Sequence, residues 1–161
     1  MIKVLFVCTG NICRSPMAEG IFRAMVAKAG LSDQISVDSA GTTPYHIGDP
    51  AHSGTLAVLK RNDIRYTGRA RQIERDDLDT FDYVLAMDRR HWSFMQRYGS
   101  GSTAEIQMFL SYANAVGTVS ETDVSDPFYD GQFDRAYSVI YRGCAALFEH
   151  IREAHNLVPT T

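Results

Sequence analysis

The sequence lacks the long apolar run of a membrane-spanning helix, because no stretch approaches the ~18 consecutive apolar residues that such a helix needs. Cysteine is also scarce. Three cysteines are too few, and odd in number, for a disulfide scaffold, which favours a reducing, cytoplasmic location. The net charge of -3 gives no general reason to expect binding to nucleic acid or to a membrane. These absences exclude membrane-embedded, disulfide-rich and strongly basic classes of protein.

The remaining composition is that of an ordinary globular chain. With 161 residues, 45% of them hydrophobic and 22% charged, the chain can form a substantial core. No linker, repeat or low-complexity tract divides it. We therefore expect a single domain over residues 1–161.

Strand and helix patterns alternate along the chain. Strands are predicted at 2–7, 35–38, 83–87 and 106–110, and helices at 16–29, 53–61, 89–98 and 133–153. The first strand is a nearly continuous apolar run, typical of a parallel strand buried on both faces. The polar stretch 111–126 predicts a long functional loop. The alternation predicts a doubly wound α/β fold with sites at the carboxyl ends of the strands.

A polar segment follows the first strand directly: Cys8-Thr9-Gly10-Asn11-Ile12-Cys13-Arg14-Ser15. Pro16 comes next and suits the first position of a helix. A loop between a strand and a helix can turn successive N–H groups toward one point, where the helix N-terminus adds positive charge. Arg14 can hold two phosphate oxygens at once, and Gly10 gives the backbone freedom to turn. The segment therefore predicts a phosphate-binding loop.

Cys8 begins this loop. The helix dipole, the loop amides and the Arg14 guanidinium all favour its thiolate form, and a thiolate beneath a phosphate is a nucleophile aimed at phosphorus. Ser15 can donate a hydrogen bond to the sulfur. The spacing Cys-x5-Arg-Ser at a strand-to-helix junction thus favours a catalytic Cys8, although a single cysteine is commonly a small buried hydrophobic residue.

Two other kinds of site fit the segment less well. A nucleotide-binding P-loop requires G-x-x-x-x-G-K-[ST], and the segment has neither the second Gly nor the Lys. A zinc site on Cys8 and Cys13 would need two further ligands, and neither Cys144 nor the five histidines offers a matched pair. No metal site and no cofactor are predicted.

The Cys-x5-Arg-Ser motif near the N-terminus resembles that of the low-molecular-weight protein tyrosine phosphatase family. Further motifs follow in the family's order: PMAE at 16–19, DSAGT at 38–42, RARQ at 69–72, FDYVLAMD at 81–88 and DPF at 126–128. The resemblance implies a four-stranded parallel sheet flanked by helices, with the phosphate-binding loop after the first strand. It also implies metal-free hydrolysis of phosphotyrosine and aryl phosphates.

The resemblance assigns catalytic roles to three residues. Cys8 is the nucleophile that forms a phosphocysteine intermediate, Arg14 holds the phosphate, and Asp126 is the general acid and then the general base. Thr9, Gly10, Asn11, Ile12, Cys13 and Ser15 complete the phosphate-binding set. Without the resemblance, an Asp-Pro pair more commonly marks a turn or a helix start.

Four residues match positions that form the wall of the family's substrate slot: Ile12, Tyr45, Phe128 and Tyr129. Deep aromatic walls favour a flat phenyl ring over the short phosphoserine side chain. An ordinary loop position for Tyr45 and core packing for Phe128 stay open as alternatives. A bacterial subfamily that removes phosphate from arginine carries Thr at the position of Ile12, so Ile12 favours phosphotyrosine.

Supporting residues also match the family. Asn11, Ser15 and Ser39 match a hydrogen-bond network that holds the loop in strained geometry, but many members have His where this chain has Gly68. Asp88 either orders the neighbouring loop or serves the N-terminus of the following helix.

The two other cysteines differ in their expected roles. Cys13 is close enough in sequence to trap an oxidised Cys8 as a disulfide. Cys144 belongs to the apolar stripe of the last helix and is expected to be inert.

Two other functions remain possible from the sequence. Arsenate reductases resemble this chain in fold and loop, but they need a further pair of cysteines, and residues 80–100 contain none. A phosphate-dependent binding module without turnover is the non-enzymatic alternative. For a phosphatase, the expected partners are phosphotyrosine-containing proteins, among them a bacterial tyrosine kinase, and inorganic phosphate is the product and an inhibitor.

Overall fold

A four-stranded, all-parallel sheet forms the centre of the structure, a computed structural model that describes residues 1–159. The strands are β1 (Ile2–Cys8), β2 (Ile35–Gly41), β3 (Tyr83–Ala86) and β4 (Glu105–Met108), in the order β2-β1-β3-β4. The helices are α1 (Arg14–Lys28), α2 (Ser53–Arg61), α3 (Asp77–Thr80), α4 (Arg89–Tyr98), α5 (Ser111–Ala115), α6 (Pro127–Asp130) and α7 (Phe133–Ala154). The predicted α/β fold, with a polar loop after the first strand, is confirmed.

The apolar run of β1 is buried on both faces of the sheet, as its sequence predicts. Val4 and Phe6 point into the core beneath α1 and α7, whereas Leu5 and Val7 point into a second core against α3 and α4. Phe6 lies edge-on to Phe22 at 5.6 Å between ring centroids. A fully buried side chain of this kind stabilises the fold by roughly 1.5–3 kcal/mol. In the described residues, no helix has the length and apolarity needed to cross a bilayer.

The strand order positions the functional edge. β2 lies on one side of β1 and β3 on the other, so the carboxyl ends of β1 and β3 flank the switch point where ligands bind in open α/β sheets. The backbone of Met87, just after β3, donates to Val7, and Val124 donates to Met87. This ladder brings the distant segment before α6 to the end of β1.

Several predicted boundaries are wrong. α1 begins at Arg14, so Pro16 is its third residue and not its first; proline is tolerated there because an N–H in the first turn has no intrahelical acceptor. β4 ends at Met108, two residues before the predicted end. The expected loop 111–126 begins with a helix, α5, which buries Ala113. The helices α3, α5 and α6 have four or five residues each, too few to show a helical period.

Candidate active site

A pocket of about 190 Å³ opens at the carboxyl ends of the strands. Its lining residues are Cys8, Thr9, Gly10, Ile12, Cys13, Arg14, Thr43, Tyr45, His46, Asp126, Phe128 and Tyr129. The three predicted catalytic residues and the four predicted wall residues therefore meet in one place. Asn11 and Ser15 lie behind the lining, and Thr43 and His46 were not predicted. Their nearness in sequence to Tyr45 was the only signal for them.

The loop between β1 and α1 lines this pocket and leads into a helix N-terminus that has no side-chain cap. Cys8 is the last residue of β1 and is 3% exposed. The N-cap residue of α1, Cys13, makes no side-chain hydrogen bond to the helix, and no acidic residue lies in the first turn. The first N–H groups of an α-helix have no intrahelical acceptor, so an anion can take their hydrogen bonds. The loop is thus suited to a phosphate.

Asn11 gives this loop its unusual turn. Its φ of 58° lies in the left-handed region, which a non-glycine residue adopts only with support. The side-chain amide supplies that support by donating to Ser15 and Ser39 and by accepting from the backbone N–H of Arg71. Gly10 does not have the positive φ that its predicted role suggests; a side chain there would clash with His46.

Arg14 is buried deeply, with 2% of its surface exposed, and is held by residues far away in the sequence. Its Nη1 donates to the Asp88 carboxylate and to the Val124 carbonyl, both at 2.8 Å. Nη2 donates to the Asp126 carboxylate at 3.3 Å. No residue of the described part of the chain accepts from its Nε–H. The guanidinium is therefore fixed in orientation with donor capacity left for a ligand.

Asp88 fulfils both roles that the sequence left open. Its carboxylate caps α4 through the N–H groups of Arg90 and His91, and the same carboxylate binds Arg14. Burial raises the pKa of Asp88, but the positive charge that His91 carries once it is protonated, together with hydrogen bonds from Arg14 and Arg90, outweighs burial and lowers this pKa to about 2. Asp88 is thus an anion at neutral pH and a fixed counter-charge for Arg14.

His91 is a supporting residue that no sequence motif indicated. It is 2% exposed, and burial lowers the pKa of its imidazole to about 4. The neutral ring accepts at Nδ1 from the backbone N–H of Asp88, so its hydrogen is on Nε2, which donates to the Thr9 hydroxyl at 2.8 Å. His91 thereby connects α4 to the loop between β1 and α1.

The buried His91 predicts a stability that depends on pH. Unfolding returns its pKa to about 6.5, so between pH 6.5 and 4 the unfolded chain binds the extra proton. The free energy of unfolding should therefore fall as pH drops through this window, by on the order of 3 kcal/mol. Urea denaturation at a series of pH values measures the loss.

The matched variants for this prediction are His91→Gln and His150→Gln. The first should flatten the pH dependence in this window, whereas the second, at an exposed histidine, should leave it unchanged. A His91→Gln profile as steep as that of the wild type would contradict the assignment.

Asp126 is the N-cap residue of α6 and lines the pocket. Its Oδ1 accepts from the backbone N–H of Phe128 at 3.1 Å, and its Oδ2 faces Arg14. With 18% of its side chain exposed, the carboxylate is accessible from the pocket. A carboxyl group at this position can exchange a proton with a group held above the loop.

The mouth of the pocket is aromatic and open. Tyr45 is 81% exposed, Tyr129 is 82% exposed and Phe128 is 49% exposed, so core packing of Phe128 is excluded. The Phe128 ring packs edge-on against Tyr129 and His52, at 5.1 and 6.0 Å between centroids. His52 in turn stacks on Phe133 at the start of α7. The aromatic side chains can thus receive a flat ring.

The three cysteines differ in position. Cys13 lines the pocket next to Cys8, and burial, followed by the charge of Cys8, raises the pKa of the Cys13 thiol to about 12. A disulfide between them stays a prediction. Cys144 is fully buried on α7 and faces the Ala18 carbonyl of α1. Among residues 1–159, no group of three or more His, Cys, Asp or Glu side chains is arranged to share a metal ion.

Comparison with known proteins identifies relatives over nearly the whole chain. The family described as "Low molecular weight phosphotyrosine protein phosphatase" has a sequence model that matches residues 3–157. The low molecular weight protein-tyrosine-phosphatase YfkJ of Bacillus subtilis is 45% identical over 159 residues, which are 98% of this chain and 100% of YfkJ.

Solved structures agree with this result. The crystal structure of YfkJ from Bacillus subtilis aligns with a TM-score of 0.90 at 44% identity and covers 96% of each chain. The crystal structure of DARP, a Drosophila arginine phosphatase, aligns with a TM-score of 0.86 at 31% identity and covers 94% of this chain and 98% of DARP.

Proposed function

The chain belongs to the low molecular weight phosphotyrosine protein phosphatase family, and we propose that it hydrolyses phosphotyrosine in proteins through a phosphocysteine intermediate on Cys8. One observation carries the proposal: Cys8, Arg14 and Asp126 converge on a single pocket whose mouth is aromatic. A nucleophile, an anion holder and a proton donor are the groups that metal-free phosphoryl transfer requires.

In the first step, the Cys8 thiolate attacks phosphorus in line with the phenol oxygen. The loop amides and Arg14 hold the equatorial oxygens and stabilise the charge that develops on them. The S–P bond forms as the P–O bond to the phenol breaks, and Asp126 in its acid form gives its proton to the departing oxygen. The tight anchoring of Arg14 by Asp88 and Val124 supports this role, because the guanidinium needs no reorganisation.

In the second step, water hydrolyses the phosphocysteine. The Asp126 carboxylate takes a proton from the water while the water oxygen attacks phosphorus. The S–P bond then breaks and returns the Cys8 thiolate. Ser15 Oγ lies 3.0 Å from Cys8 Sγ, a distance that supports hydrogen bonding to the leaving sulfur. Inorganic phosphate is released and, since it fits the same loop, inhibits competitively.

The mouth favours an aromatic phosphoester. Tyr45, Phe128 and Tyr129 offer ring faces and edges to a phenyl group, whereas a phosphoserine side chain is too short to use them. Ile12 adds an aliphatic wall with no hydroxyl group. Phosphotyrosine-containing proteins, including a bacterial tyrosine kinase, are therefore the substrates and partners that we propose.

A comparison of two phosphoamino acids tests this proposal. We expect kcat/KM for phosphotyrosine to exceed that for phosphoarginine by at least about tenfold, the scale on which small changes in a pocket wall discriminate substrates. Ile12→Thr should reduce this ratio, because its hydroxyl can bond to a polar guanidino group. The control is Ile12→Val, which keeps the wall aliphatic. Faster hydrolysis of phosphoarginine by the wild type would instead support an arginine phosphatase, the activity named for DARP.

The arsenate reductase alternative lacks a cysteine relay. Of the three cysteines in the sequence, Cys8 and Cys13 line the pocket, and Cys144 is fully buried between α7 and α1. A reductase that transfers electrons through further cysteines needs a thiol that can approach the first two. The buried position of Cys144 therefore favours phosphate ester hydrolysis.

A further inference from the structure

A chain of hydrogen bonds supports the phosphate-binding loop from behind and ends on Tyr66. The Tyr66 hydroxyl donates to Glu19 Oε1 at 2.8 Å, and Ser39 Oγ donates to the same oxygen at 2.6 Å. Asn11 Nδ2 donates to Ser39 Oγ at 2.9 Å and to Ser15 Oγ at 2.8 Å. Ser15 Oγ then contacts Cys8 Sγ. One continuous network thus joins Tyr66 to the proposed nucleophile.

The donors in this network all have defined directions. The Glu19 carboxylate can only accept, so the hydroxyl hydrogens of Ser39 and Tyr66 both point at it. The lone pairs of Ser39 Oγ are then free for the Asn11 amide, whose second hydrogen goes to Ser15. Ser15 therefore keeps its own hydroxyl hydrogen for Cys8. Glu19, 5% exposed, is the acceptor on which this polarity depends.

Tyr66 occupies the space that a side chain at position 68 would need. A Cβ atom added to Gly68 would lie 2.5 Å from the Tyr66 hydroxyl oxygen and 2.7 Å from Cζ of its ring. A residue larger than glycine at position 68 would therefore clash with Tyr66 in its observed position. Gly68 departs from the frequent histidine of the family, and the group that fills this space here is a phenol.

We propose that Tyr66 is a positioning residue for Cys8, and that its hydroxyl acts through Glu19, Ser39 and Asn11 to hold the phosphate-binding loop in its reactive geometry. This inference rests on the proposed phosphatase function. Gly68, which stands where many members of the family have a histidine, makes room for the Tyr66 ring.

The chemistry of Tyr66 suits a permanent donor. Burial and then the negative charge of Glu19 raise the pKa of the Tyr66 phenol above its ordinary value, so the hydroxyl keeps its proton. Arg23 also contacts Glu19, but through the other carboxylate oxygen. Without the Tyr66 hydroxyl, Oε1 of Glu19 accepts only from Ser39, and the Glu19 carboxylate can rotate. The Asn11 amide, which holds a left-handed backbone, then loses its fixed anchor.

The variant Tyr66→Phe tests the proposal because it removes only the hydroxyl. We expect kcat for p-nitrophenyl phosphate to fall about tenfold, since small displacements of reacting groups are costly, while KM changes less than about twofold. We also expect the pH profile of Cys8 alkylation by iodoacetate to move toward higher pH, because a displaced Ser15 hydroxyl stabilises the thiolate less.

Tyr112→Phe is the matched control. Tyr112 is also a half-buried tyrosine whose hydroxyl donates to a glutamate, Glu105, but it is on α5, outside the pocket lining. Loss of the Tyr112 hydroxyl should leave kcat and the pH profile of Cys8 alkylation as they are in the wild type.

Two results would overturn the inference. One is a Tyr66→Phe enzyme with wild-type kcat and alkylation profile. The other is a variant with a lower melting temperature but an unchanged alkylation profile, since Tyr66 would then serve stability alone. The alkylation profile is readable without any phosphatase activity, so a wild type that fails to turn over p-nitrophenyl phosphate would reject the proposed function separately.

Discussion

Cys8→Ser is expected to lower the turnover of p-nitrophenyl phosphate by about 10⁴-fold or more, with EDTA present throughout. Serine fits the site, but its hydroxyl is un-ionised at neutral pH and its oxygen is a poor nucleophile. The loop amides and Arg14 stay in place, so the variant should still bind inorganic phosphate or a phosphotyrosine peptide. Initial rates and equilibrium binding on the same preparation measure the two effects separately.

Cys144→Ala is the matched control for this prediction. It removes a cysteine that is fully buried and absent from the pocket lining, so turnover should persist. In the wild type, rapid mixing should give a burst of p-nitrophenol and a phosphoenzyme on Cys8. Equal rates for the wild type and Cys8→Ser would mean that Cys8 is structural, and a phosphoenzyme on serine or histidine would reject it as the nucleophile.

Asp126→Asn is expected to lower kcat for p-nitrophenyl phosphate by about 10²-fold, within the usual contribution of a general acid or base. The loss should be greater for phosphotyrosine, by roughly a further factor of ten, because its phenolate is a poorer leaving group that depends more on the donated proton. The side-chain oxygen of the asparagine can still accept from the backbone N–H of Phe128 in the first turn of α6. Steady-state kinetics with both substrates give the two ratios.

Asp130→Asn tests whether the effect belongs to Asp126. Asp130 is an exposed carboxylate on the same short helix and accepts from the backbone N–H of Gln132. The Asp130→Asn enzyme should retain near wild-type kinetics with both substrates. An Asp126→Asn enzyme that loses the same factor on good and poor leaving groups would show that Asp126 does not protonate the leaving oxygen.

The strands and the long helices were predictable because burial leaves a strong pattern in the sequence. The apolar run of β1 is needed to fill two cores at once, and α7 is 22 residues long, enough for the period of its apolar stripe to be clear. The short helices α3, α5 and α6 escaped prediction because a single turn carries no period. Their stability comes from packing against distant parts of the chain. Leu78 of α3, for example, is buried in the second core.

The geometry of the phosphate-binding loop was only partly predictable. The segment 8–15 holds the predicted nucleophile, the predicted anion holder and the predicted backbone donors within eight residues, so the sequence indicated its local chemistry. Its left-handed residue is Asn11 and not a glycine, because contacts from Ser39 and Arg71 support the strained backbone. The resemblance to the family indicated the contact with Ser39 but not the one with Arg71, since both partners come from other parts of the chain.

By itself, the sequence determined an α/β fold, and it predicted Cys8 as the nucleophile and Arg14 as the anion holder at the end of its first strand. Resemblance to the family was needed to choose Asp126. The tertiary structure alone decided how Arg14 is anchored, that His91 holds Thr9 and that Tyr66 fills the space over Gly68. The contacts of Arg14 and His91 join residues 74 to 112 positions apart, and the Tyr66 hydroxyl reaches Glu19, 47 positions away. The physical reason is that strand order and helix packing, and not local spacing, bring such side chains together.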